Sequence, residues 1–204
     1  MLSTSTFLLF LRLCLCISAA PRSINTTNAT CPTSLLAGSF KSPYLTILTS
    51  SEQLSHVFGS SPKSYISPIN TTISNFNTSP YNGTCALLFF FPYASDLAAS
   101  GTYYFSGIEE EEGEHGGLDF AMLSGLADTT TTYNSTPAVA TDYGKTEILP
   151  GNNYTIATFD CQSGVKTAAG TMLSISGNSA GNVELDYTQN SLPSPIGLYV
   201  VPCS

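Results

Sequence analysis

One stretch, Cys85–Phe91 (CALLFFF), constrains this chain more than any other. It is an unbroken apolar run that Pro92 ends, of strand length and too short for a core helix. A strand with no polar position has no face to offer to water, so it belongs inside a sheet and is buried on both faces. The surrounding segments are also strand-like. Tyr44–Thr49 (YLTILT) alternates apolar with polar residues, and GLDFAML places Leu118, Phe120 and Met122 on one face. TYYFS, NYTIATFDC, GTMLSIS, NVELDY and PIGLYVVPC read the same way, with turn formers between them, as in Pro150–Asn153 and Ser176–Asn182. The best helical candidate, Ala94–Ser100, is barely two turns long. Many short strands between frequent turn signals predict an all-β fold: an antiparallel β-sandwich, jelly-roll or immunoglobulin-like, in a single domain.

The first twenty residues have a different character. An apolar run from Phe7 to Ile17, interrupted by Arg12, is followed by the small residues Ser18, Ala19 and Ala20. That layout predicts a secretory signal peptide over 1–20, too short and interrupted for a transmembrane helix. Residues 21–38 read as a polar, glycosylated N-terminal arm, and residues 39–204 as the β-sandwich domain. The final residues, IGLYVVPCS, lack the polar spacer and hydrophobic tail of a GPI signal, so no such anchor is expected.

Asn-X-Ser/Thr sequons stand at Asn25, Asn28, Asn70, Asn77, Asn82, Asn134 and Asn153, a dense set that agrees with secretion. Strand periodicity bears on three of them. In Ile69–Asn77, the residues Ile69, Thr71 and Ile73 share a face; Asn70 falls on the other and Asn77 on the isoleucine face. Both can carry sugar only if the strand ends or bulges first, and an end near Phe76 is expected because turn formers follow. Alternation likewise puts Asn153 on the face of Phe159 and Cys161, so either the strand begins after Asn153 or that site is unused.

Removal of the signal would leave four widely spaced cysteines, Cys31, Cys85, Cys161 and Cys203. In a secreted chain they predict two disulfides, with three pairings open. A bridge at Cys203 would tie down the C-terminal segment and close a long loop. There is no CxxC and no Cys-His spacing for zinc. Five basic residues, Arg22, Lys41, Lys63, Lys145 and Lys166, then face fourteen acidic ones, an imbalance that excludes charge-driven binding to nucleic acid or anionic membranes.

Catalytic signatures are missing: there is no GxSxG, no HExxH and no P-loop. The histidines are His56 and His115 alone, with no pattern around either. The acidic stretch Glu109–His115 invites a metal reading, yet consecutive glutamates point to alternate faces of a strand and fan around a helix, so they do not converge on an ion. With glycines on both sides it reads as a solvated, self-repelling loop. Asp119, Asp142, Asp160 and Asp186 are isolated acids whose spacing argues for no glycosidase pair. Trp is absent, which leaves eleven tyrosines as the side chains able to stack on a sugar. No metal, cofactor or catalytic residue is expected.

From about Ser60 to Cys203, the ordered blocks YNGTCALLFFFP, TYYFSG, GGLDFAMLSG, TTYNSTPAVATDYG, PGNNYTIATFDC and PSPIGLYVVPC resemble a fungal family, the C-terminal domain named for ubiquitin-3-binding protein. The resemblance implies a secreted or cell-surface fungal protein and carries no catalytic residues. Ile108–His115 stands between two blocks that nearly adjoin in the family, which marks the acidic stretch as a loop extension. The family's name implies a partner in the ubiquitin-like activation machinery. Together these readings lead to a secreted, N-glycosylated fungal surface or cell-wall protein without catalysis, whose partner would be a wall polysaccharide or an extracellular protein. The alternatives are a glycoside-active secreted enzyme and an intracellular adaptor.

Overall fold

The computed structural model describes residues 29–98, 101–107 and 116–204. The expected signal peptide, the sequons Asn25 and Asn28, and the acidic stretch Glu109–His115 lie outside the described residues. In chain order the strands are β1 (Leu45–Ser50), β2 (Lys63–Ile66), β3 (Asn70–Asn77), β4 (Thr84–Phe91), β5 (Tyr103–Ser106), β6 (Gly117–Leu123), β7 (Val139–Thr146), β8 (Asn152–Asp160), β9 (Val165–Thr167), β10 (Gly170–Ala180), β11 (Glu184–Thr188) and β12 (Gly197–Pro202). Among the described residues they form three antiparallel sheets and no closed barrel. The largest runs β1-β3-β10-β6-β7, with β9 beside the start of β10; the others run β12-β4-β8 and β2-β11-β5. The fold is all-β and consistent with a β-sandwich. Side chains from the three sheets meet in one core that includes Phe89 of β4, Phe120 of β6, Ile175 of β10, Tyr187 of β11 and Leu198 of β12.

β4 is the strand the apolar run predicts. Cys85, Leu87, Phe89 and Phe91 enter the main core. Ala86, Leu88 and Phe90 point to the opposite face, where they pack with Tyr199 and Val201 of β12 and with Leu35, which lies ahead of β1. The Tyr199 ring meets Phe40 at 5.5 Å and Phe90 at 5.6 Å, both edge-on, an arrangement that aromatic quadrupoles favour. Residues 29–41 therefore seal the outer face of this sheet. The Thr30 and Lys41 amides donate to the carbonyls of Ser204 and Val200, each at 2.8 Å. The disulfide Cys31–Cys203 fastens this segment, and Cys85–Cys161 fastens β4 to the end of β8, which settles the pairing the sequence left open.

Several elements differ from expectation. Ala94–Ser100 forms only a 3-10 turn at Ala94–Asp96, which has no buried residue to hold a longer helix, and residues 99–100 lie outside the described set. Ser176–Asn182, read as a turn, is mostly strand, because β10 continues to Ala180. Gly177 is there for close packing: a Cβ on it would lie 3.0 Å from Ile66 Cδ1 and 3.2 Å from Phe120 Cε1. The real turn is at Gly181, whose φ of +89° suits glycine. Sequence periodicity missed β2, β7 and β9. Two of these are very short, and the first four residues of β7 are exposed, so no alternation marks it.

Candidate functional site

The acidic and imidazole groups mostly serve local structure. Asp160 caps its own turn by accepting from the Gln162 amide at 2.9 Å. Asp186 faces Lys63 at 3.7 Å on the surface. The His56 ring packs on Phe58 at 4.5 Å in the β1–β2 loop. Among the described residues, no three His, Cys, Asp or Glu side chains are placed to hold a metal ion. Asp119 and Asp142, separate in sequence, are brought together on neighbouring β6 and β7. Burial raises the Asp119 carboxyl above its ordinary range. The negative charge of Asp142, and a hydrogen bond that only a protonated carboxyl can make with it, raise it further.

A polar row explains where these acids sit. Strand register aligns Thr49 of β1 with Thr71 of β3, and Asn178 of β10 with Asp119 of β6. The Thr71 hydroxyl donates to Asn178 Oδ1 at 2.6 Å and joins the two halves. Alternation places all four on the outer face of the largest sheet, away from the core that Leu118 and Phe120 enter. The row lies beside a groove of about 300 Å³ that includes Thr49, Thr71, Ser176 and Asn178, with Tyr133 and Val139 among its walls. Thr49 is 1% exposed, yet its hydroxyl has no hydrogen-bond partner, and Asp119 Oδ1 is also buried and unpartnered. Two orphaned polar atoms in one row are unusual, because buried polar groups are nearly always paired.

The β6–β7 loop, residues 124–138, roofs the neighbouring part of this face. Ala127 packs with Ile47, Ile73 and Leu123. Its amide donates to Ser174 Oγ at 3.0 Å, the Ser174 hydroxyl donates to Asn75 Oδ1 at 2.6 Å, and Asn75 Nδ2 donates back to the Ala127 carbonyl at 2.7 Å. This closed, buried network anchors the loop and so positions Tyr133 over the groove. A second cleft of about 390 Å³ lies between residues 42–46 and 188–191. Its Gln189 amide is already occupied by both backbone groups of Leu198, at 2.8 and 3.1 Å, and no orphaned polar atom lines it.

Among the sequons in the described residues, Asn82, Asn134 and Asn153 are exposed, whereas Asn70 and Asn77 are half-buried. β3 runs through Asn77, one residue beyond the expected end, and Asn77 pairs with Met172. Ile69 precedes the strand and is exposed rather than sharing the buried face of Ile73. Asn153 escapes the choice the sequence posed. Its strand begins at Asn152, but a bulge shifts register between Leu87 and Leu88, which face Ala157 and Thr155. The extra residue, Ile156, reverses the alternation, so Asn153 faces outward while Phe159 faces in.

Fold and site together define a disulfide-closed, three-sheet β-sandwich domain with a polar groove on its largest sheet. Within that class the chain belongs to a particular family: residues 41–193 match the Ubiquitin 3 binding protein But2 C-terminal domain. This is not a known enzyme family. A comparison with curated proteins finds no match. The matched residues include β1 to β11, the polar row and the Cys85–Cys161 bridge; Cys31, β12 and Cys203 lie outside them.

Proposed function

We propose that the chain is a secreted, N-glycosylated fungal surface or cell-wall protein that binds and does not catalyse. The observation that carries this reading is the pairing of all four cysteines beyond the expected signal peptide into two disulfides, one spanning 172 residues. Such bridges persist in oxidising compartments. The exposure of Asn82, Asn134 and Asn153 supports it, because a glycan can leave the surface there without disturbing the fold. No helix among the described residues is long and apolar enough to cross a membrane. In this reading residues 1–20 are removed, residues 21–38 form a glycosylated arm and residues 39–204 carry the binding surface.

A second reading has a specific basis. The family is named for binding a ubiquitin-related protein, which favours a protein partner of that kind inside the cell. Intact mass of the natural protein, non-reduced, before and after N-glycan removal, separates the two. The secreted reading expects a chain about twenty residues short, four hydrogens light and carrying removable glycans. A full-length, sugar-free chain with all six cysteines as free thiols overturns it and moves the intracellular partner to the front.

A further inference from the structure

We infer that the groove on the largest sheet is a binding site for a neutral, hydroxyl-rich saccharide, with Thr49, Thr71, Asn178 and Tyr133 as its contacts. The inference deepens the binding role proposed above and rests on it. Its starting point is Thr49. Thr49 lines the groove, and its hydroxyl is buried and unpaired, which destabilises the free protein. A ligand hydroxyl in the groove would give it a partner.

The neighbouring groups narrow the chemistry. Asn178 uses its Oδ1 on the Thr71 hydroxyl, which leaves its NH2 group as a donor. Tyr133, 43% exposed, and Val139, 58% exposed, add an aromatic and an aliphatic wall. Hydroxyl and amide groups on the floor with apolar surface on the walls match a ring that has polar edges and a C–H face, as a pyranose does. The groove's volume is at the lower end for small-molecule sites, about 300 Å³. The charged groups next to it are Asp119, the nearby Asp142 and Lys145, which is opposite Asp119 on β7. With carboxyls in excess, an anionic sugar is disfavoured. The larger cleft beside Gln189 has no comparable orphan, and the Asp119–Asp142 pair alone identifies no ligand.

The test is titration of the natural glycosylated, disulfide-bonded protein with defined oligosaccharides, followed by calorimetry and by NMR. β-Glucan and chitin fragments represent wall polysaccharide, a free high-mannose N-glycan represents a glycoprotein source, and oligogalacturonate is the anionic control. One neutral class should bind and oligogalacturonate should not. Thr49→Val, which keeps shape and removes the hydroxyl, should weaken binding about tenfold while the free protein melts no lower. Tyr133→Ala, at an exposed wall, should weaken it comparably without unfolding the domain. Absence of binding to all three neutral probes by folded protein overturns the inference. So does binding that both variants leave unchanged, or tighter binding of oligogalacturonate. The two proposals fail separately: a free-thiol, sugar-free natural protein that still binds saccharide through Thr49 retains the groove and loses the secreted reading, whereas a secreted glycoprotein that binds none loses only the groove.

Discussion

The two outer faces of this molecule are built from the same strand geometry and are treated in opposite ways. The outer face of the β12-β4-β8 sheet is apolar along Ala86, Leu88, Phe90, Tyr199 and Val201, and residues 29–41 cover it. The outer face of the largest sheet is apolar at Ile47 and Ile73, where Ala127 covers it, and turns polar along Thr49, Thr71 and Asn178, where a groove is left open. Apolar surface is covered because water penalises its exposure. Thr71 and Asn178 stay half-exposed and pay no such penalty, so an open groove is tolerated there. The difference teaches where to look for binding on a sandwich: at the boundary where a covering segment stops and the sheet beneath is polar.

The comparison breaks most severely if the apolar face is unsealed. Replacing Cys31 and Cys203 by alanine frees the covering segment; a loss of roughly 3–5 kcal/mol is expected, read by chemical denaturation, with increased binding of an apolar-surface dye. On the other face the covering loop depends on hydrogen bonds. Asn75→Ala leaves the Ala127 carbonyl and the Ser174 hydroxyl short of a partner, with an expected cost of about 1–3 kcal/mol and faster proteolysis between residues 124 and 138.

The polar row should respond in the opposite direction. Thr49→Val removes an orphaned hydroxyl, so the free protein should gain up to about 1 kcal/mol in the same denaturation assay. Asp119→Asn gives the smallest and most pH-dependent effect. The folded-state pKa of Asp119 is raised, so its carboxyl costs nothing below the ordinary aspartate range and costs progressively more as pH rises through the raised value. The variant should therefore melt higher than the native protein at pH 7, and the gap should close by about pH 3. A gap that widens toward acid would show that Asp119 is stabilised as a carboxylate and sink this account of the row.

The two faces were not equally legible in the sequence. β4 was plain because seven apolar residues admit one environment, and Leu118, Phe120 and Met122 announced their face by alternation. The seal was half visible. Four cysteines implied two bridges, but Leu35 and Phe40 sit in a polar stretch whose packing depends on a sheet formed far away in the chain. The polar row was invisible. Thr49, Thr71, Asn178 and Asp119 come from four strands, and only register aligns them. Asn153 failed for a related reason: alternation predicts a face only while the phase holds, and the bulge at Ile156 breaks it. Gly177 misled because glycine signals a turn and a tight contact with the same letter.

The position of β4 in its sheet has a consequence for synthesis. Its partners are β8 and β12, so Phe89 meets Tyr154 on one side and, on the other, Leu198, which emerges far later. At about 5–20 residues per second, β4 waits roughly 5–20 s between its own emergence and that of β12. For that interval the most aggregation-prone segment of the chain has one edge without its native strand. Pro92 immediately after it, and Pro80 shortly before, limit how far a stray strand could extend along it. The nascent chain of this protein should therefore be a stronger client for holding chaperones than its modest size would suggest.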